Sequence, residues 1–260
     1  MNASVLEERA GPPVAMALAW LVLLTCACWA WLAFQGAQPE PVPAKLSGPS
    51  LHGPLPAPLR SGQLLLVFAM WTALYVALML PAAVGAVAAV DRIARRRSLL
   101  GSGLTPWLFA LGCLLAWTGF AAIVTLLHWT LHDAGMLDAT LAVRHPAATG
   151  LVLLGAGAWQ WTSSKHPLPE YSRAPFPALL AGWGRGRLDA LWQGAEHART
   201  VLGCYWLIVL LPLAGGPGNP AMVAAVGLLL LAELRLQDGT LVSCLAGLGM
   251  VAWGTRLLFP

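Results

Sequence analysis

Charge is scarce in this sequence. Asp, Glu, Lys and Arg make up 10% of its 260 residues against 58% hydrophobic residues, and the mean hydropathy of +0.70 lies outside the range of ordinary soluble domains. The few cations give a net charge of only +4. They sit beside apolar runs and form no basic stripe interleaved with aromatics, which excludes nucleic acid as a partner. Cysteine is sparse too: Cys26, Cys28, Cys113, Cys204 and Cys244 all fall inside apolar runs and none forms a C-x-x-C pair. That argues against a disulfide framework and against a thiol oxidoreductase. The chain also lacks a P-loop, a dinucleotide-binding turn and a hydrolase nucleophile set, so no enzyme is expected. No internal repeat is visible, which weakens the reading as a secondary transporter.

What the chain has in abundance is apolar runs, several of them reaching the roughly 20 residues that cross about 30 Å of hydrocarbon. They predict an all-α fold, a polytopic transmembrane helix bundle of about seven spans, near residues 14 to 34, 63 to 90, 106 to 132, 147 to 161, 200 to 213, 221 to 236 and 240 to 259. The first run is too long for a usual signal-peptide core and is preceded only by Arg9 against Glu7 and Glu8, so it reads as an uncleaved helix. Pro81 should kink the second. Between the fourth and fifth, RLDALWQGAEH (187 to 197) repeats Leu188, Leu191, Trp192 and Ala195 at i, i+3, i+4 and i+7. That spacing predicts a short helix lying in the membrane interface.

These readings divide the chain into an N-terminal cytoplasmic tail with the first helix (1–36), a proline-rich extracytoplasmic linker (37–62) and a six-helix membrane domain (63–260). With the N-terminus inside, the DRIARRR segment and the loop around 165 to 199 put most of the cations on the cytoplasmic side. The positive-inside rule then favours N-in, C-out.

Polar residues inside apolar sequence are the candidate functional groups. His197 and Cys204 are seven residues apart, two helical turns, and so share a face. Metal ligation and plain packing both explain that spacing. His128 and His132, at i and i+4 beside Asp133, form an H-x-x-x-H pair that needs a further ligand to be persuasive, with His145 a distal candidate. Trp71, Tyr75 and Met79 share one stripe that reads as helix packing. Gln160, Asn219 and Glu233 are polar groups in or beside spans. Glu233 is costly in hydrocarbon unless it faces inward, and Lys165, Arg173 and Arg199 are the cations on its side of the membrane.

Several motifs occur in a recognisable order: W-T-x-x-x-x-A-L-M-L-P (71 to 81), G-A-W-Q-x-T-x-x-K (157 to 165), S-R-A-P (172 to 175), H-x-x-x-x-x-G-C-x-W (197 to 206), G-G-x-x-N (215 to 219) and Glu233. In this order the chain resembles, over about residues 64 to 258, a bacterial family of predicted metal-binding integral membrane proteins of unknown function. The family carries cysteines where this chain has Leu168, Ser172, Val201 and Tyr205, and methionines where it has Leu74 and Leu78. The segment KHPLPEYSRAP (165 to 175) thus looks like the family's cysteine loop with Lys165, Arg173 and Pro175 kept and the thiols lost. Thiolates and thioethers select soft metals. The resemblance therefore implies copper or zinc handling or assembly at the bacterial cytoplasmic membrane with weakened ligation. The metal, copper or zinc, is then weakly bound, and the partners are the lipid bilayer and a protein of a membrane complex. A non-metal structural or interaction subunit and a transport component are the alternatives.

Overall fold

The computed structural model describes residues 12–36, 61–96, 103–138, 141–162, 187–236 and 238–259. Among them the chain forms seven α-helices: α1 (Pro12–Gly36), α2 (Ser61–Arg96), α3 (Thr105–Asp133), α4 (Pro146–Trp159), α5 (Arg187–Gly215), α6 (Pro220–Arg235) and α7 (Gly239–Leu258). The all-α bundle expected from the apolar runs is what the structure shows. Stretches within α1, α2, α3, α5 and α7 are long and apolar enough to cross a membrane, as a multi-pass membrane protein requires. The other two are shorter. At 14 and 16 residues, α4 and α6 extend about 21 and 24 Å, less than a full hydrocarbon core.

The centre of the bundle is α2, which is packed on more of its circumference than any other long helix. Val67, Met70, Trp71, Leu74, Tyr75, Leu78 and Met79 are all buried, so the stripe read as packing does pack, and Leu74 and Leu78 lie inside the core. The helix runs through Pro81 and past its expected end at Val90 to Arg96. Asp91 supports that extension by accepting a 2.7 Å bond from Arg95 Nε one turn on.

The stretch predicted to be an interfacial helix, 187 to 197, is instead the first third of α5, continuous with the fifth span. No proline or glycine pair interrupts it before Pro212. Its buried residues are Ala190, Gly194 and His197, continued by Ala198 and Val201, while Leu188 and Trp192 are 75% and 69% exposed. Half of the apolar stripe read from the sequence, Leu188 and Trp192, therefore faces outward, while Leu191 and Ala195 are half-buried against α3. In hydrocarbon the outer surface of a helix is as apolar as its core face, so amphipathicity cannot tell the two apart.

What draws this part of α5 into the bundle is backbone proximity to α3. A side chain at Gly112 would collide with the Leu191 carbonyl oxygen, and one at Gly194 with the Phe109 carbonyl oxygen. Cys113 Sγ donates to Gly194 O at 3.2 Å across the same contact. The pairing of α4 with α7 uses the same device. A Cβ at Gly150 would lie 2.8 Å from Gly254 O, and one at Gly157 2.7 Å from Gly247 O. Without a hydrophobic drive between helices in lipid, close approach over small residues supplies the dispersion contact that holds them.

At its far end α3 stops in a Schellman turn. Gly135, at φ 68, donates to His132 O, and Met136 donates to Leu131 O at 2.9 Å. A short return through an isolated Leu137–Val143 bridge leads into α4. The proline-rich linker expected over 37–62 lies almost wholly outside the described residues, as does the KHPLPEYSRAP segment.

Candidate functional site

Two clusters stand out among the polar side chains that the described bundle buries. One lies in the seam between α2 and α3. His128 is completely buried and His132 is 5% exposed, so one helix turn turns both imidazoles inward. Neither ring nitrogen of His128 has a hydrogen-bond partner among the described residues, nor does Nδ1 of His132. The Trp71 ring meets His128 in a T-shaped contact, centroids 6.0 Å apart at 67°. Tyr75 stacks on Trp71 at 5.6 Å and touches Phe120 at 5.1 Å. Trp71 Nε1, Thr72 Oγ1 and Tyr75 Oη are likewise buried with no hydrogen-bond partner among the described residues. Buried polar atoms in folded proteins are nearly always paired, by protein, water or an ion, so a concentration of unpaired ones calls for an explanation.

The second group lies at the ends of α4 and α6. Gln160 and Glu233 are 0% and 1% exposed, and Gln160 Nε2 donates to Glu233 Oε1 at 2.7 Å. Glu233 thus faces the interior. Of the three cations expected to serve it, Arg199 points away. Its guanidinium binds Glu196, with Nε to Oε2 at 2.8 Å, and its side chain is 73% exposed. Lys165 and Arg173 lie outside the described residues. The sequence did not point to Gln160 as the carboxylate's partner, although its place at the end of the fourth span, in the G-A-W-Q motif, was the available signal. Replacing Glu233 by alanine strands the Gln160 amide in hydrocarbon. The expected cost is about 1–3 kcal/mol of stability, read as a lowered melting temperature in detergent. A Glu233→Ala protein as stable as the wild type would contradict the pairing.

His197 is 2% exposed and packs its ring against Phe109, centroids 5.6 Å apart. Cys204 is half-buried, and its carbonyl accepts from Trp159 Nε1 at 2.9 Å. Val201 and Tyr205, two of the four positions where the resemblance implies cysteines, are both core residues of α5. Asn219 caps α6: its Oδ1 accepts from the backbone nitrogens of Ala221 and Met222 at 3.1 and 3.2 Å, a local duty at the helix start. His145 is exposed at the N-cap of α4. Among the described residues no group of three or more His, Cys, Asp and Glu side chains is placed to hold a metal, so neither histidine-containing pair gains a third ligand of those types. A groove of about 420 Å³ between α1 and α3, lined by Trp20, Leu24, Trp107 and Leu111 among others, is apolar.

No curated protein and no solved structure matches the chain. A family model described as PpoB2, copper chaperone, matches residues 68–257, from the second span, which carries Trp71, to the last helix. The matched region covers both polar groups and most of the chain, and the chain belongs to the PpoB2 copper chaperone family.

Proposed function

We propose that this protein handles copper inside the membrane, binding the ion as cargo in the α2/α3 seam for transfer to a protein partner. The observation that carries the reading is His128. An imidazole buried in a hydrocarbon-embedded bundle with both nitrogens unmet by the described residues forfeits hydrogen bonds that water or an interhelical partner would ordinarily supply. A bound cation satisfies such a nitrogen, and imidazole is a good copper ligand. The donor set therefore fits copper. His128 and His132 would hold the ion and Trp71 would fix the His128 ring, while Phe120 and Tyr75 keep water from the seam. Membership of the copper chaperone family supports copper as the metal. His197 and Cys204, in the first two thirds of α5, are the alternative pair.

The test is the metal content of the protein purified from cells grown with copper and zinc together. Copper is expected to co-purify in preference to zinc. Protein free of both, or carrying zinc alone, would contradict the reading.

The positive-inside count supports an inner-membrane protein with its N-terminus in the cytoplasm. In that orientation α3 enters from the cytoplasmic side at Thr105 and brings His128 and His132 to within about two turns of the outer surface. Copper is then received or released at the outer face. A cysteine introduced at Ala134 should be labelled from outside intact cells by an impermeant maleimide, and one at Asp238 should not. The reverse pattern would invert the orientation and the side of release.

A further inference from the structure

We infer that the groove between α1 and α3 is a seat for an anionic phospholipid, with one acyl chain lying in the groove and the headgroup meeting the arginines that end α2. The groove, of about 420 Å³, runs between Trp20 and Leu24 of α1 and Trp107 and Leu111 of α3, with Leu104 at its mouth, and every residue that lines it is apolar. Both helices are long and apolar enough to cross a membrane. Where helices of this bundle meet directly they close over glycine, as α3 and α5 do at Gly112 and Gly194. Between α1 and α3 the sequence sets large side chains around open space instead, and Trp20 is 59% exposed, Leu104 50% and Leu111 44%. An unfilled gap forfeits dispersion contacts on one side of each lining residue, and an acyl chain restores them. The seat uses none of the residues assigned to copper.

Charge selects the headgroup. Trp71 meets His128 and Tyr75 meets Phe120, so α2 and α3 run antiparallel. The stretch from Phe120 back to Leu104 is as long as that from Tyr75 forward to Asp91, which puts the mouth of the groove level with the last turns of α2. From Asp91 to its end at Arg96, α2 carries three arginines against one aspartate. Asp91 is taken up by Arg95 at 2.7 Å, and Arg92 is exposed. The surplus at this end is positive, and a basic cluster beside a span attracts anionic headgroups. Trp107, in the first turn of α3 and half-buried at the same level, is the aromatic residue that suits the headgroup layer.

The experiment is intact-protein mass spectrometry of the purified full chain in detergent, titrated with phosphatidylglycerol or with phosphatidylcholine of identical acyl chains. One phosphatidylglycerol is expected to stay bound per chain, preferred over phosphatidylcholine by about five-fold or more, the weight of one basic residue at an anionic surface. Arg92→Gln should remove most of that preference and Arg92→Lys should keep it, with phosphatidylcholine binding unchanged in both. Leu111→Trp fills the groove and should lower retention of either lipid. Phosphatidylglycerol should also raise the melting temperature of the wild type and not that of Leu111→Trp. If that variant fails to fold, Leu24→Trp blocks the groove from the α1 side. Equal retention of the two lipids by the wild type would overturn the proposal, as would undiminished phosphatidylglycerol binding in a folded groove-filling variant. A dimer that Leu111→Trp abolishes, and that forms with no lipid bound, would overturn it too by giving the groove to a second copy of the chain.

Discussion

Replacing His128 by leucine is expected to raise the melting temperature of the copper-free protein in detergent. Stability changes of this kind usually run the other way, since most buried substitutions destabilise. Here the wild-type residue carries the penalty. Both imidazole nitrogens are buried without a hydrogen-bond partner among the described residues, and each unmet polar group costs about 1–3 kcal/mol relative to an apolar group of the same shape. Leucine is close to histidine in volume, and Trp71, its described ring neighbour, needs only an apolar surface. The expected gain is on the order of 1–3 kcal/mol, seen in thermal unfolding without metal. Cuprous ion should then raise the melting temperature of the wild type and leave that of the variant unchanged, as linkage between binding and folding requires. A drop in stability of similar size in His128→Leu would show that the imidazole serves packing.

The largest loss of stability is expected at two glycines. Gly112→Ala and Gly194→Ala each place a methyl group against a backbone carbonyl of the opposite helix, those of Leu191 and Phe109. A carbonyl cannot rotate aside as a side chain can, so α3 and α5 must separate along this seam. That forfeits the Cys113–Gly194 bond and the dispersion contacts around it. The cost should exceed about 3 kcal/mol, the upper range of ordinary overpacking, and should appear as loss of folded protein on detergent extraction. Gly119→Ala and Gly203→Ala on the same two helices are the controls. Nothing lies within 4 Å of a Cβ at either position, and alanine there removes backbone entropy from the unfolded chain, for a change of about 1 kcal/mol or less in the favourable direction. Equal behaviour of the two pairs would refute the backbone-contact account of this interface.

Particular residues show what the sequence discloses and what it withholds. Helix positions followed from apolar run length, because hydrocarbon thickness sets a minimum that composition alone reveals. Facing did not follow. The stripe Leu188, Trp192 looked like a helix resting on the membrane, and the buried face turned out to be the one marked by Gly194, where a missing side chain is the signal. Glu233 was legible as inward-facing from the cost of a carboxylate in lipid. Its contact with Gln160, 73 positions away in sequence, required the packing of α4 against its neighbours. For the histidines, spacing showed that His128 and His132 share a face, but spacing alone cannot separate a wet interfacial pair from an enclosed one. Burial of His128 beneath Trp71 depends on the register of α2 against α3, which no local pattern encodes. Leu168, Ser172, Val201 and Tyr205, where the family resemblance implies cysteines, carry no thiol, which leaves imidazoles among the metal donors that the chain offers.

The most direct measurement of the central claim is X-ray absorption at the copper edge of the cuprous-loaded wild-type protein. Seating of the ion between His128 and His132 predicts a low-coordinate cuprous spectrum with imidazole nitrogen scattering and no copper–sulfur shell. A spectrum dominated by sulfur at thiolate distance would contradict it, taking the ion out of the α2/α3 seam and giving it to the cysteines, Cys204 with His197 first among them.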